Sequence, residues 1–434
     1  MTKIQVDGEP YVDVLPAAVL RVVVAAMDSA LDEQLREVWP AIVRSGKVET
    51  RPYKKEEQEI ATDVDPHRVL VPLSRLGAAQ GYSGAKVFVG YFADKKNRYL
   101  PSRPLVVKVG TWAELDEELH RARAWPPHAQ GENSSFAWPW KLYPIPAAIS
   151  EPHEAVLIAN FTSIDSLDMV PTRYDLRIED LWKQLTGSDS SADLARTLRS
   201  VYELIHGVHR HGKVVCERRT FVYGDLYDRY LRRLTKERRQ IPVRLFGDQP
   251  TTQLYGRSWP NPLCTVDALL RLTCEGAIGP THGDLHPKNV VLDKSGRPRI
   301  IDFGWATPSS HVVVDYVLME LNLRAVTLTP HVPATSTMAL ARMLSTDDPS
   351  PNADDECRWR SDLVRNGIWK SLKDADIIRD WEREYLVPML IVAFGLLWFL
   401  DSAKSQHSLM LTVLCLTERL QKIVTKTPIL EPAT

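Results

Sequence analysis

The sequence predicts an α+β chain in which a small, β-rich lobe precedes a larger, mainly helical one, with extra helices at both ends. Three observations predict it. Short β-rich runs broken by Gly- and Lys-containing turns crowd between Val69 and Phe161. Helical periodicity dominates beyond Phe161. Within that helical territory two compact strand-like runs, NVVLD and RPRIIDF, bracket a KSG turn at 294–296. The chain has 434 residues, 44% hydrophobic and 25% charged, with a formal charge of −1. Such a chain can bury a core in two or three domains. Its neutrality gives no sign of a basic nucleic-acid binder or an acidic disordered tail.

Residues 1–65 read as a helical extension and a charged linker. Pro16 suits a first helical turn, and Leu20, Val23, Val24, Met27, Leu31 and Leu35 recur at three-to-four spacing, which predicts a helix over 11–43. KVETRPYKKEEQE (47–59) has little to bury. Residues 66–160 form the β-rich lobe. VLVPLSRL from Val69, AKVFVGYF (85–92) and PLVVKVG (104–110) read as antiparallel strands, followed by a helix over 113–125. After a Pro- and Trp-rich stretch (126–152), EAVLIANF (154–161) reads as a further strand.

Residues 161–434 form the helical lobe. SADLARTLRSVYELIHGVHRHG (191–212) carries a stripe through Leu194, Leu198, Val201, Leu204 and Ile205. DLYDRYLRRLTKERR (225–239) reads as a basic amphipathic helix inside an insertion spanning about 213–280. Helices are expected at 311–327, 335–344, 358–373, 377–400 and 407–425, with an acidic loop at 345–356. Tyr385–Leu400 is uncharged but shorter than the roughly 20 residues a membrane span needs. It also contains Pro388 and Gly395, so a buried helix is expected. The five cysteines form no CxxC pair, and MTKIQVDGEP lacks the apolar run of a secretory signal. A soluble, cytoplasmic chain with reduced thiols and no membrane contact is the expectation.

The chemistry concentrates in THGDLHPKNVVLDKSGRPRIIDFGWA, residues 281–306. It contains H-x-D-L-x-x-x-N (His282, Asp284, Leu285, Asn289) and then D-F-G (Asp302, Phe303, Gly304), the catalytic-loop and metal-loop pair of kinase-like phosphotransferases. Phosphoryl transfer needs a carboxylate that orients an attacking hydroxyl and accepts its proton, the role expected of Asp284. It also needs hard oxygen ligands for Mg²⁺, expected from Asp302 and the amide oxygen of Asn289. D-F-G alone would be weak, because three residues recur by chance. The ordered pair with apolar strands between is far more specific.

Two upstream features complete the set. VVKV offers Lys108 on a strand to hold the α- and β-phosphates. That lysine needs a carboxylate from the next helix, and Glu118 is favoured over Glu117 because it lies one turn past Leu115, which should face the sheet. Between two strands, LGAAQGYSGAKVF (76–88) is a small-residue turn. Backbone N–H groups of Gly81, Ser83 and Gly84 could approach phosphate oxygens there, although the turn is neither a full G-x-G-x-x-G nor a Walker A loop.

These residues resemble the aminoglycoside phosphotransferase and choline kinase branch of the protein-kinase-like superfamily, through HGDLHPKN followed by IDFG. GYSGAKVF, the helical insert and GPTHGDLHPKN resemble, more narrowly, the phosphotransferase-like ternary complex-associated domain proteins of bacterial conflict systems. The resemblance spans about 70–320 and implies a bilobal protein-kinase-like fold, ATP and Mg²⁺, and the roles given above. Gly283 replaces the usual Arg, His286 stands where protein kinases carry Lys, and no A-P-E follows, all of which disfavours a phosphorylation-switched protein kinase.

The expected activity is ATP- and Mg²⁺-dependent transfer of the γ-phosphate to a hydroxyl of a small-molecule or protein acceptor. The alternative is a non-catalytic, pseudokinase-like nucleotide-binding scaffold or sensor in a bacterial defence or signalling complex. In that case a protein partner would dock on the helical insert or the C-terminal helices. Nucleic acid is not expected as a partner despite Arg232, Arg233, Lys236, Arg238 and Arg239. YGDLYDRY (223–230) echoes G-D-L but lacks the Asn, so Asp225 reads as a helix cap. The spacing of His206, His209 and His211 places at most two on one helical face, against a metal site.

Overall fold

A computed structural model describes residues 4–6, 9–12, 68–76, 86–94, 105–125, 136, 138–144, 154–160, 179–186, 191–210, 216–232, 243, 245–292, 296–328, 333–346, 354–397 and 403–426. The strands and helices run β1 (Ile4–Val6), β2 (Glu9–Val12), β3 (Arg68–Leu76), β4 (Lys86–Asp94), β5 (Leu105–Thr111), α1 (Trp112–Arg123), β6 (Pro139–Pro144), β7 (Glu154–Asn160), β8 (Glu179–Asp180), α2 (Leu181–Thr186), α3 (Ser191–Arg210), β9 (Glu217–Val222) and α4 (Tyr223–Arg232). They continue with β10 (Thr251–Leu254), β11 (Arg257–Pro260), α5 (Pro262–Leu269), β12 (Thr273–Thr281), β13 (Val290–Leu292), β14 (Pro298–Ile300), β15 (Thr307–His311), α6 (Val314–Leu321), α7 (Ala334–Thr346), α8 (Asp355–Leu363), α9 (Lys370–Asp374), α10 (Val387–Leu396) and α11 (Ala403–Lys426). The protein mixes helices with small antiparallel sheets. It divides into two units, Met1–Asp180 with Lys288–Thr307, and Leu181–Pro287 with Pro308–Thr434.

In the first unit a five-stranded sheet runs β3-β4-β5-β7-β6. β5 is central, and its Lys108 stands opposite Val87 on β4 and Leu157 on β7. β6 arises from the Pro- and Trp-rich stretch, where no strand was expected. It lies at the sheet edge, where the missing N–H groups of Pro139 and Pro144 can be tolerated. Thr111 caps α1 by accepting from Glu114 N at 3.4 Å. The helix then buries Leu115, Glu118, Leu119 and Ala122 at three-to-four spacing, and Leu115 and Leu119 pack with Leu142, Ala155 and Leu157. β14, β13 and β8 form a second, smaller sheet. Tyr11 and Val12 belong to strand β2 rather than to a helix. The remainder of the expected N-terminal helix and the charged linker lie outside the described residues.

In the second unit, the insertion expected around a basic helix also contributes strands. β15, β12 and β9 form one sheet and β10 and β11 another. β12 hides from a propensity reading because TCEGAIGPT carries two glycines and a proline. Both glycines are needed for packing: a Cβ at Gly276 would lie 2.7 Å from His311 Nε2, and one at Gly279 would lie 2.6 Å from Cys216 Sγ. His311 closes β15 instead of opening a helix. The basic helix is described as far as Arg232, with Arg233, Lys236, Arg238 and Arg239 beyond the described residues.

The apolar run over Tyr385–Leu397 is buried. Among the described residues no helix is long and apolar enough to cross a membrane. Three π-helical segments (Asn322–Val326, Val364–Trp369 and Trp381–Leu386) each send a side chain to the buried Glu320 carboxylate. Arg324 bonds Oε1 and Tyr385 bonds Oε2, while Trp369 Nε1 donates to Oε2 at 2.7 Å. A carboxyl group buried this deep needs hydrogen-bond partners, and these three donors serve both of its oxygens.

Candidate functional site

The first unit assembles three of the expected residues. Lys108 Nζ lies 2.7 Å from Glu118 Oε2 and 2.7 Å from Asp302 Oδ1. Burial opposes the lysine charge, but the Asp302 and Glu118 carboxylates outweigh it and hold the ammonium above its usual range. Glu118 is reached because α1 turns it to the sheet beside Leu115 and Leu119. One position earlier, Glu117 is exposed and pairs with Arg121 instead. The other Glu118 oxygen accepts from Phe303 N at 3.2 Å, and Arg121 donates to the Gly304 carbonyl. One helix therefore grips both the lysine and the loop that follows Asp302.

Asp302 is 29% exposed at its side chain, against 5% for Glu118. Its φ of +66° is left-handed, a conformation an L-residue holds only where the surroundings enforce it. The enforcement is visible next door. Phe303 stacks on Trp138 at 4.4 Å and meets Trp125 edge-on at 5.5 Å, with Phe136 completing an aromatic box. The support these aromatic side chains give to the loop after Asp302 carries no sequence signal of its own. Asn289 is buried, and its carbonyl accepts from Ile301 N at 3.0 Å, which ties it to the strand leading into Asp302. Gly81, Ser83 and Gly84 lie outside the described residues.

The second unit holds Asp284. Its side chain is 18% exposed, with His286 Nε2 3.8 Å from Oδ2. The preceding backbone is anchored by Asp315, which was not anticipated: Oδ2 accepts from His282 N at 2.8 Å and Oδ1 from Gly283 N at 2.7 Å. Burial pushes the Asp315 carboxyl up to about 7, against the pull of those two N–H groups. An acid inside the apolar run VVVDYV was the available signal, since a buried carboxylate has to find donors. Gly283 takes φ +77°, a conformation that explains glycine where kinases usually carry Arg. Tyr230 OH donates to the Gly283 carbonyl at 2.8 Å.

Among the described residues no cluster of three or more His, Cys, Asp or Glu side chains could hold a metal. His206 and His209 instead bond Tyr316 and the Pro280 carbonyl. The expected Mg²⁺ donors, one carboxylate and one amide oxygen, still suit an ion that keeps most of its shell as water and substrate phosphate.

One family matches. The profile described as Ternary complex associated domain 9 covers residues 183–394, just under half of the chain. No curated protein matches. Among solved structures, glucosamine kinase (crystal form A) aligns over 86% of this chain and 99% of that chain, at 14% identity and a TM-score of 0.34.

Proposed function

We propose that the chain is an ATP- and Mg²⁺-dependent phosphotransferase of protein-kinase-like, bilobal build, related to the aminoglycoside phosphotransferase and choline kinase branch. The observation that carries this is the Lys108–Glu118–Asp302 constellation, because a buried, fixed ammonium beside a partly exposed carboxylate suits triphosphate and its metal. Lys108 would hold the α- and β-phosphates. Asp302 and Asn289 would hold Mg²⁺, which when bound would supply neutralisation of phosphate charge. Asp284 would orient the acceptor hydroxyl and take its proton as the new O–P bond forms and the bond to the departing ADP breaks. The acceptor is a small molecule or a protein.

Titration calorimetry with a non-hydrolysable ATP analogue tests the nucleotide site. Mg²⁺-dependent binding is expected in the wild type and is expected to disappear in Asp302→Ala. Binding of equal strength in both proteins refutes the assignment.

A second reading is favoured by the match over 183–394, whose family name speaks of a ternary complex. Here the same residues bind nucleotide without transfer and the helical region assembles partners. A stoichiometric complex that survives Asp302→Ala, with no labelled phosphate transferred, would select it.

A further inference from the structure

Helix α4 carries YGDLYDRY, the segment whose echo of G-D-L the proposed chemistry leaves unused. Tyr223, Tyr227 and Tyr230 stand at i, i+4 and i+7, and all three are buried. Each hydroxyl reaches a different element. Tyr223 donates to the Arg383 carbonyl, Tyr227 bonds His311 Nδ1 at 2.7 Å, and Tyr230 donates to the Gly283 carbonyl at 2.8 Å. The last contact differs in kind from the others. That carbonyl belongs to the peptide joining Gly283 to Asp284, so its rotation re-aims the Asp284 side chain.

The contact is built rather than incidental. Arg229 Nη2 donates to the Tyr230 oxygen at 2.8 Å, and its guanidinium lies 5.0 Å over the Tyr230 ring. With one lone pair filled by Arg229, the hydroxyl proton is directed at Gly283. Burial pushes the phenol up to about 12, so it remains a donor across the working pH range. Gly395 on α10 backs directly against this residue, because a Cβ there would lie 2.5 Å from the Tyr230 carbonyl oxygen. On the other side, Asp315 holds the Gly283 N–H. Gly283 is thus gripped through both of its backbone polar groups.

We propose that Tyr230 is a positioning residue which, through the Gly283 carbonyl, fixes the aim of Asp284 and so ties the inserted helix to phosphoryl transfer. This rests on the phosphotransferase reading above. Tyr230→Phe removes only the hydroxyl. With ATP hydrolysis as the turnover probe, kcat is expected to fall about tenfold while KM for ATP and analogue affinity stay unchanged. Tyr223→Phe, on the same helix but bonded elsewhere, should leave kcat at the wild-type value. Hydrogen exchange over 283–285 should quicken about tenfold in Tyr230→Phe only. Unchanged kcat in Tyr230→Phe, or an equal fall in Tyr223→Phe, overturns the proposal. If wild type binds the analogue but turns over no ATP, the phosphotransferase reading fails separately. Exchange then decides the clamp: unchanged rates overturn it, and faster rates in Tyr230→Phe alone uphold it.

Discussion

Lys108 Nζ and Asp302 Oδ1 meet at 2.7 Å across 194 positions of sequence, and the same ammonium also serves Glu118. One cation thus satisfies two carboxylates at the end of a strained loop. Removing it should be felt both in stability and in ligand binding. Lys108→Ala leaves Glu118 buried without its cation and is expected to cost about 3 kcal/mol in a urea titration, within the range for breaking a buried pair. The same variant should lose ATP-analogue affinity. An unchanged denaturation midpoint would contradict the buried pairing.

Neighbouring acids on α1 separate by what they touch. Glu118 serves Lys108 and the Phe303 N–H, whereas Glu117 pairs with Arg121 at the surface. Glu118→Gln is expected to cost about 1–3 kcal/mol, and Glu117→Gln no more than about 0.5. Equal costs for the two would show that the helix does not use its buried face in this way.

Two glycines share a backbone conformation but not a role. Gly283 has φ +77° beside Asp284, and Gly296 has φ +76° with open space around it. Alanine at either should destabilise by about 1–2 kcal/mol, because left-handed backbone is unfavourable with a Cβ. Only Gly283→Ala should also lower phosphate turnover, measured with labelled ATP at saturating concentration.

Asp315 imposes a pH dependence whose sign follows from its raised carboxyl. The folded state keeps a proton that the unfolded chain has already released, so this contribution is present below about pH 4 and is lost as pH rises through about 7. The slope is at most about 1.4 kcal/mol per pH unit. His311, pushed down to about 3 by burial, acts oppositely, with stability present above its usual 6.5 and lost as pH falls towards 3. Comparing wild type with Asp315→Asn at each pH isolates the first effect. Their stability difference should shift between pH 4 and 7 and flatten outside that window.

Much of the first unit was legible because its signals are local. Alternation around Lys108 marks a strand, and the spacing from Leu115 selects Glu118 over Glu117, since period two and period 3.6 write a residue's face into its immediate neighbours. β6 and β12 escaped because Pro139, Pro144, Gly276 and Gly279 are poor strand residues, retained for edge position and close approach rather than for propensity.

By itself the sequence determined the order and spacing of Asp284, Asn289 and Asp302, the strand that carries Lys108, and the helix face that offers Glu118. Only the tertiary structure decided that Trp138 stacks on Phe303, that Asp315 and Tyr230 hold the two backbone groups of Gly283, and that three π-turns converge on Glu320. Apart from Arg324, one helical turn past Glu320, each of those partners lies dozens of residues away along the chain. Periodicity specifies which face is buried, but the identity of what meets that face is settled only when distant elements pack together and every buried polar group must find its partner.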